Sequence, residues 1–267
     1  MLTLPFAPIL ALAAADGSWL DPQLFVVAAA VFAGLFVQSA VGFGAGMFSV
    51  PLMLWAGLDL PVAISVLLSV VFFQTAWQSW SYRKVMPYRA VGTMALPRLL
   101  GTPLGIWVLG LLSASSKAQL QLLLGIFLLA ALAVQGLVRV QPRQRIAGYW
   151  ALIAGSLSGF FAGLFGMGGP PLVLWMLAHD WPPERSRSFL WGSFLLLGPV
   201  QIWLLGSEFG APVLEGMRKG LLLLPVLFAA SWLGERTGRR LSRVYLRGLT
   251  FLLLAALAIR TSIAAMV

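Results

Sequence analysis

Arg98 makes the heaviest demand on its surroundings. It stands near the middle of an apolar run from Tyr88 to Leu111, about ten residues from either end and too deep for easy snorkelling, unless tilt holds it near an interface. A guanidinium there costs about 2.5 kcal/mol or more if it faces lipid, so it must face a cavity or a partner. All 8 acidic residues fall in loops or at the ends of apolar runs. Two kinds of partner remain open: an anionic ligand, or the carbonyls of broken helix segments. Such breaks occur at Val41-Gly42-Phe43-Gly44-Ala45-Gly46-Met47 and at Gly163-Leu164-Phe165-Gly166-Met167-Gly168-Gly169-Pro170-Pro171. Gly and Pro stop a helix, and a restarted helix presents unpaired amides and a partial positive charge, the makings of an oxyanion site. The same glycines also allow close helix packing, but two breaks in corresponding places favour the site.

Gln38, Ser39, Gln74, Thr75, Gln78, Ser158 and Gln201 are the intramembrane polar residues near these breaks, and Gln74 and Gln78 share a helix face. They either orient an oxyanion or bond helix to helix. The anion-binding candidates are Arg98, Gly42, Gly44, Gly46, Gly166, Gly168, Gly169, Gln38, Ser39, Gln74, Gln78 and Gln201. His179-Asp180 reads as a helix cap in a loop rather than a proton relay. With 0 Cys and 1 His there is no thiolate or histidine metal site and no redox framework, and no cofactor is expected. No Ser-His pair, HExxH or paired aspartates fall at membrane depth, so no catalytic residue is assigned and an enzyme is not expected.

The elements that must position these residues follow from composition. The chain has 267 residues, 60% hydrophobic and 10% charged, with a mean hydropathy of +0.92. A globular domain carries about 25% charge, so lipid is the solvent for most of this surface. The net charge of +10 sits in short loops between apolar runs, where it sets topology rather than binding nucleic acid. Residues 1–23 form a tail whose apolar piece is broken by Pro5 and Pro8 and lacks a basic start, which favours an uncleaved segment over a signal peptide.

Repeat 1 is expected over 24–138, as a broken hairpin 24–57 and helices 62–81, 88–111 and 118–138. A linker 139–147 leads to repeat 2 over 148–264, with a broken hairpin 148–178 and helices 186–206, 212–233 and 244–264. As one straight helix 24–57 would be about 50 Å long, against a core of about 30 Å. Pro51-Leu52-Met53-Leu54-Trp55 is echoed by Pro171-Leu172-Val173-Leu174-Trp175, Gln78-Ser79-Trp80 by Gln201-Ile202-Trp203, and Leu128 to Ala133 by Leu253 to Ala258. Three echoes in the same order beside matching breaks indicate duplication.

Charge then chooses the topology. If each broken run folds back, Arg83, Lys84, Arg89, Arg139, Arg143, Arg145, Arg185, Arg187, Arg236, Arg239, Arg240, Arg243 and Arg247 share one side. Only Lys117, Arg218, Lys219 and Arg260 lie opposite, 13 against 4, whereas a single crossing at each break gives 9 against 8. The positive-inside rule therefore predicts an all-α multi-pass protein of two inverted repeats with both termini periplasmic.

The two glycine motifs and the two-repeat layout resemble the sulfite exporter TauE/SafE family, also called the 4-toluene sulfonate uptake permease family, over about residues 25–264. Gly42 to Gly46 followed by Pro51 departs from that family's usual Gly-x-Gly-Gly-Gly in having Ala45. The resemblance implies a bacterial inner-membrane transporter of sulfite, a sulfonate, a sulfoacetate-like compound or another small organic anion, with direction open. An anion channel would share the same residues. A metal or cation transporter would need the acids, Cys or His that the membrane region lacks. A non-transporting anchor is a further class, and oligomeric state is open, a homo-oligomer included.

Overall fold

Inside lipid a single segment can satisfy its own backbone only as a helix, and in the computed structural model every described regular element is one. The structure describes residues 22–113, 116–137, 141–142, 146–240 and 243–264, and among them there is no strand. The expected tail 1–23, but for its last two residues, and Arg139, Arg143 and Arg145 of the expected linker lie outside the described residues. The elements are α1 (Pro22–Val41), α2 (Ala45–Trp55), α3 (Leu60–Ser81), α4 (Tyr88–Leu112), α5 (Lys117–Leu137) and α6 (Gly148–Phe165). There follow α7 (Gly169–Leu177), α8 (Pro183–Phe209), α9 (Ala211–Leu222), α10 (Leu224–Arg240) and α11 (Arg243–Ala264). Among the described residues α1, α3, α4, α5, α6 and α8 are long and apolar enough to cross a membrane.

The first break is a reversal of the chain. Gly42 and Gly44 hold φ of 106° and 110°, a region that strains any residue with a Cβ. Beyond them Ser49 Oγ donates to the Ala30 carbonyl at 2.9 Å and Gln23 Nε2 to that of Ala56 at 2.8 Å. Later residues of α2 thus meet earlier residues of α1, and the 11-residue α2 lies antiparallel along it as a helix of about 16 Å. At the second break Gly166 (φ 71°) caps α6, and its amide donates to the Ala162 carbonyl at 2.9 Å. The chain restarts at Gly169 with Pro170 and Pro171 in the first turn of α7, where a missing N–H leaves no helical bond unmade.

One element departs from expectation. The helix expected over 212–233 is two, α9 and α10, parted at Leu223. Pro225 has no amide to give and its ring crowds the carbonyl four residues back, so the chain bends there. α10 then runs on to Arg240 and carries Arg236 and Arg239 into a helix.

Side-chain contacts fix the helix directions. Gln74 of α3 bonds to Leu35 and Ser39 and Gln78 to Ser39, so α3 runs parallel to α1. Gly216 and Gly220 of α9 press on Val62 and Val66 of α3, and Gly234 and Gly238 of α10 on Phe36 and Ala40 of α1, again in parallel. α4 and α6 are parallel to each other, with Gly155 against Pro97 and Gly163 against Thr102. α8 opposes α3, since Tyr82 meets Trp191 edge to face while Phe72 touches Gly198. The α4 and α6 backbones meet directly: a methyl group at Gly159 would run into the Arg98 carbonyl, and one at Gly101 into that of Ser156. Close backbone approach through small residues is a common way for membrane helices to pack, and it fixes where the Arg98 side chain begins.

Candidate anion-binding site

The two breaks touch. A Cβ on Gly46 would lie 2.5 Å from the Gly166 carbonyl and 3.1 Å from Met167 Cγ, and one on Gly169 3.4 Å from the Phe43 ring. Two half-length helices therefore bring their N-termini together inside the bundle. Around this meeting point is a cavity of about 60 Å³, where one water needs about 10–15 Å³ by the same measure. It admits a few waters or one small tetrahedral or pyramidal anion. Gly44, Gly46, Gly166, Gly168, Gly169, Gln38, Gln201 and Arg98 all line it, with Ala45, Met47, Ala162, Leu197 and Phe194 among their neighbours.

Arg98 is 2% exposed. Its Nε donates to Ser158 Oγ at 3.1 Å, and one terminal nitrogen donates to the Ser193 carbonyl. Ser158 Oγ in turn donates to the Gly168 carbonyl at 2.6 Å, tying the guanidinium to the second break. The Phe194 ring faces the guanidinium carbon at 5.6 Å. Among the described residues the ion pairs lie elsewhere, at Lys117 with Asp59, Lys219 with Glu215 and Arg239 with Glu235, so Arg98 has no carboxylate partner. Of its five N–H donors, two are used by Ser158 and Ser193. The carbonyl engaged belongs to the continuous helix α8 and not to a broken segment, and a cavity lies beside the rest of the fork.

α2 adds backbone donors. The amides of Ala45, Gly46 and Met47 precede the first in-helix bond, which Phe48 makes to the Gly44 carbonyl at 3.2 Å. They and the helix dipole favour negative charge at this point. α7 offers fewer, because Pro170 and Pro171 have no N–H.

The remaining predicted residues stand off the cavity. Gly42 packs against Arg187 and Leu190 of α8. Ser39, Gln74 and Gln78 form a buried network behind Gln38, which donates from Nε2 to Gln74 Oε1 at 2.8 Å. Gln74 Nε2 reaches the Leu35 carbonyl, Ser39 Oγ and Ser231 Oγ at 2.9 to 3.0 Å, so the network joins α1, α3 and α10. Gln201 Nε2 donates to the Ala162 carbonyl at 2.7 Å and steadies the end of α6. His179 lies at the end of α7, its Nδ1 3.0 Å from the Trp175 carbonyl and its ring between Trp175 and Trp181. Burial pushes its imidazole below the ordinary value, the nearby Arg185 charge acts in the same sense, and the bond to Trp175 opposes them. Among the described residues no three His, Cys, Asp or Glu side chains gather to hold a metal. Sequence reasoning missed Ser193, Phe194 and Met167. The two hydrophobic ones look like core, and a serine inside an apolar helix carries no signal of its own.

A buried cation and helix-start amides where two broken helices meet, inside a bundle of membrane-length helices, form an arrangement many membrane transporters share. The chain belongs to the sulfite exporter TauE/SafE family, whose profile matches residues 26–261. A protein of Cupriavidus necator described as a probable sulfite/organosulfonate exporter TauE is 27% identical over 205 residues, covering 76% of this chain and 80% of that one. No solved structure matches.

Proposed function

We propose that the protein is a secondary carrier for a small organosulfur anion, sulfite or a sulfonate or sulfoacetate-like compound, in the bacterial inner membrane. The observation that carries this reading is Arg98, buried without a carboxylate beside a cavity that two helix N-termini share. The family and the named exporter agree with the substrate class. A volume of about 60 Å³ suits sulfite or one sulfonate group better than a large aromatic sulfonate.

We further infer two inverted repeats, 24–138 and 148–264, that rock about this cavity in alternating access. What supports the inversion is direction. α1 and α3 run one way and α6 and α8 the other, while α4 runs opposite to the α9–α10 pair. What supports rocking is that the contact between breaks is between backbones, where packed elements slide or part as units rather than deform. The positive-inside count puts the Tyr88 end of α4 in the cytoplasm. An anion leaving an inside-negative cell gains about 2.3 kcal/mol per charge per 100 mV, so export needs no proton relay.

Sulfite flux into and out of proteoliposomes under an imposed potential tests the reading. Saturable flux at carrier rates is expected, single-channel currents would make the protein a channel, and absence of flux for sulfite and for short sulfonates would overturn it.

A further inference from the structure

Ser193 lies on α8 and is 2% exposed, yet its hydroxyl has no hydrogen-bond partner among the described residues. Like that of Ser79 on α3, it does not make the bond that a helical serine can make to a carbonyl three or four residues back. Ser65, Ser69, Ser188 and Ser207 all do so. A buried hydroxyl left alone costs about 1–3 kcal/mol, so the fold keeps this donor at a disadvantage.

Ser193 is also one of the residues that line a second cavity. This space, about 10 Å³, is lined by Ser193, Arg98 and Leu197 together with Val91, Ala95 and Leu99. Arg98 and Leu197 also line the central cavity, so they form the wall between the two. Arg98 already bonds the Ser193 carbonyl, and the two residues border the same small apolar space. Val91 and Ala95 place this chamber toward the Tyr88 end of α4. Its volume is close to that of one water-sized sphere, hence of one oxygen of an oxyanion.

The geometry points to a second contact for the transported anion, in which Ser193 Oγ and the near side of the Arg98 guanidinium receive one leading oxygen of a small sulfur oxyanion as this space widens to pass it to the central cavity. This rests on the reading of the central cavity as the transport site. One arginine then serves two chambers in turn. The anion crosses the wall without ever losing its counter-charge, and multiple weak positions are what let an ion both enter and leave. The apolar lining of the outer chamber keeps that contact weak, with a single neutral donor beside the shared charge.

The test is sulfite flux by Ser193→Ala protein in proteoliposomes of uniform orientation, with sulfite supplied from either face. Loss of one hydrogen bond to a charged ligand raises the half-saturating concentration about tenfold or more. That rise is expected only for sulfite entering from the face at the Tyr88 end of α4, with a change of less than about twofold from the other face. Thermal stability is expected to hold or rise, because an unpaired buried hydroxyl is removed. Flux by the wild type with an unchanged variant, or an equal shift from both faces, overturns the second contact alone. Absence of sulfite flux in the wild type overturns it together with the transporter reading.

Discussion

The two helix breaks are built on one plan and equipped differently. Behind the first, the buried polar network is neutral: Gln38, Ser39, Gln74, Gln78 and Ser231 bond to one another across α1, α3 and α10. Its gift to the cavity is backbone, the three free amides that open α2. The second break has lost donors to Pro170 and Pro171 and has a cation instead, Arg98, held to it through Ser158 and the Gly168 carbonyl. An anion between the two would meet dipoles on one side and a full charge on the other. In the proposed pair of repeats the frame is shared and the side chains around it differ, which would polarise the proposed site.

The two breaks depend on each other where Gly46 meets the Gly166 carbonyl. Gly46→Val would drive a side chain into the Gly166 carbonyl. Overpacking of this kind costs about 1–3 kcal/mol, and because it parts the two halves of the site sulfite flux is expected to fall about 100-fold or more. Flux and thermal midpoint together check this, and near-normal flux would mean that the contact between breaks plays no part.

Removing one serine on each side sharpens the contrast. Ser158→Ala frees Arg98 Nε, and sulfite affinity measured by calorimetry should drop about tenfold, the worth of a bond to a charged group. Ser39→Ala, in the neutral network, should change affinity less than about threefold while lowering stability by about 1–2 kcal/mol. Reversal of the two outcomes would exchange the roles assigned to the two sides.

Pro170→Ala restores an amide to the first turn of α7. A donor at a helix N-terminus is worth about 0.3–1 kcal/mol to an anion, so affinity should rise up to about fivefold; a fall would place the ligand away from that terminus.

The smallest effect concerns pH and serves as a control outside both networks. Folding favours the neutral His179 imidazole, since its value lies below the ordinary 6.5. Its contribution to stability is present above about pH 6.5 and is lost as pH falls through the lower folded value. The thermal midpoint should therefore decline between about pH 7 and 5, and His179→Gln should flatten that decline. A slope unaffected by the substitution would assign it to other groups.

Much of this frame is legible in the sequence, for physical reasons. A glycine cluster inside an apolar run too long for the bilayer has to be a break, and a mid-run arginine without an acid has to find a cavity or carbonyls. The bend at Leu223 is not legible in the same way. Pro225 ends a helix there, whereas Pro51, Pro97, Pro103 and Pro199 lie inside continuous helices, so the neighbours decide. Gln74 and Gln78 are readable as sharing a face, but that the face meets Ser39 rather than the cavity depends on how α3 turns against α1. Ser193 gives no signal at all, because its meaning lies in the bond it does not make.

Arg98 is proposed to supply the charge for an anion bound between the breaks. Calorimetric titration of sulfite into purified wild-type and Arg98→Gln protein, with helix content checked by circular dichroism, tests it most directly. Retained helix with binding weakened about 100-fold or more is the predicted result, as for the loss of one member of a buried charge pair. Equal affinity in the two proteins would contradict the account.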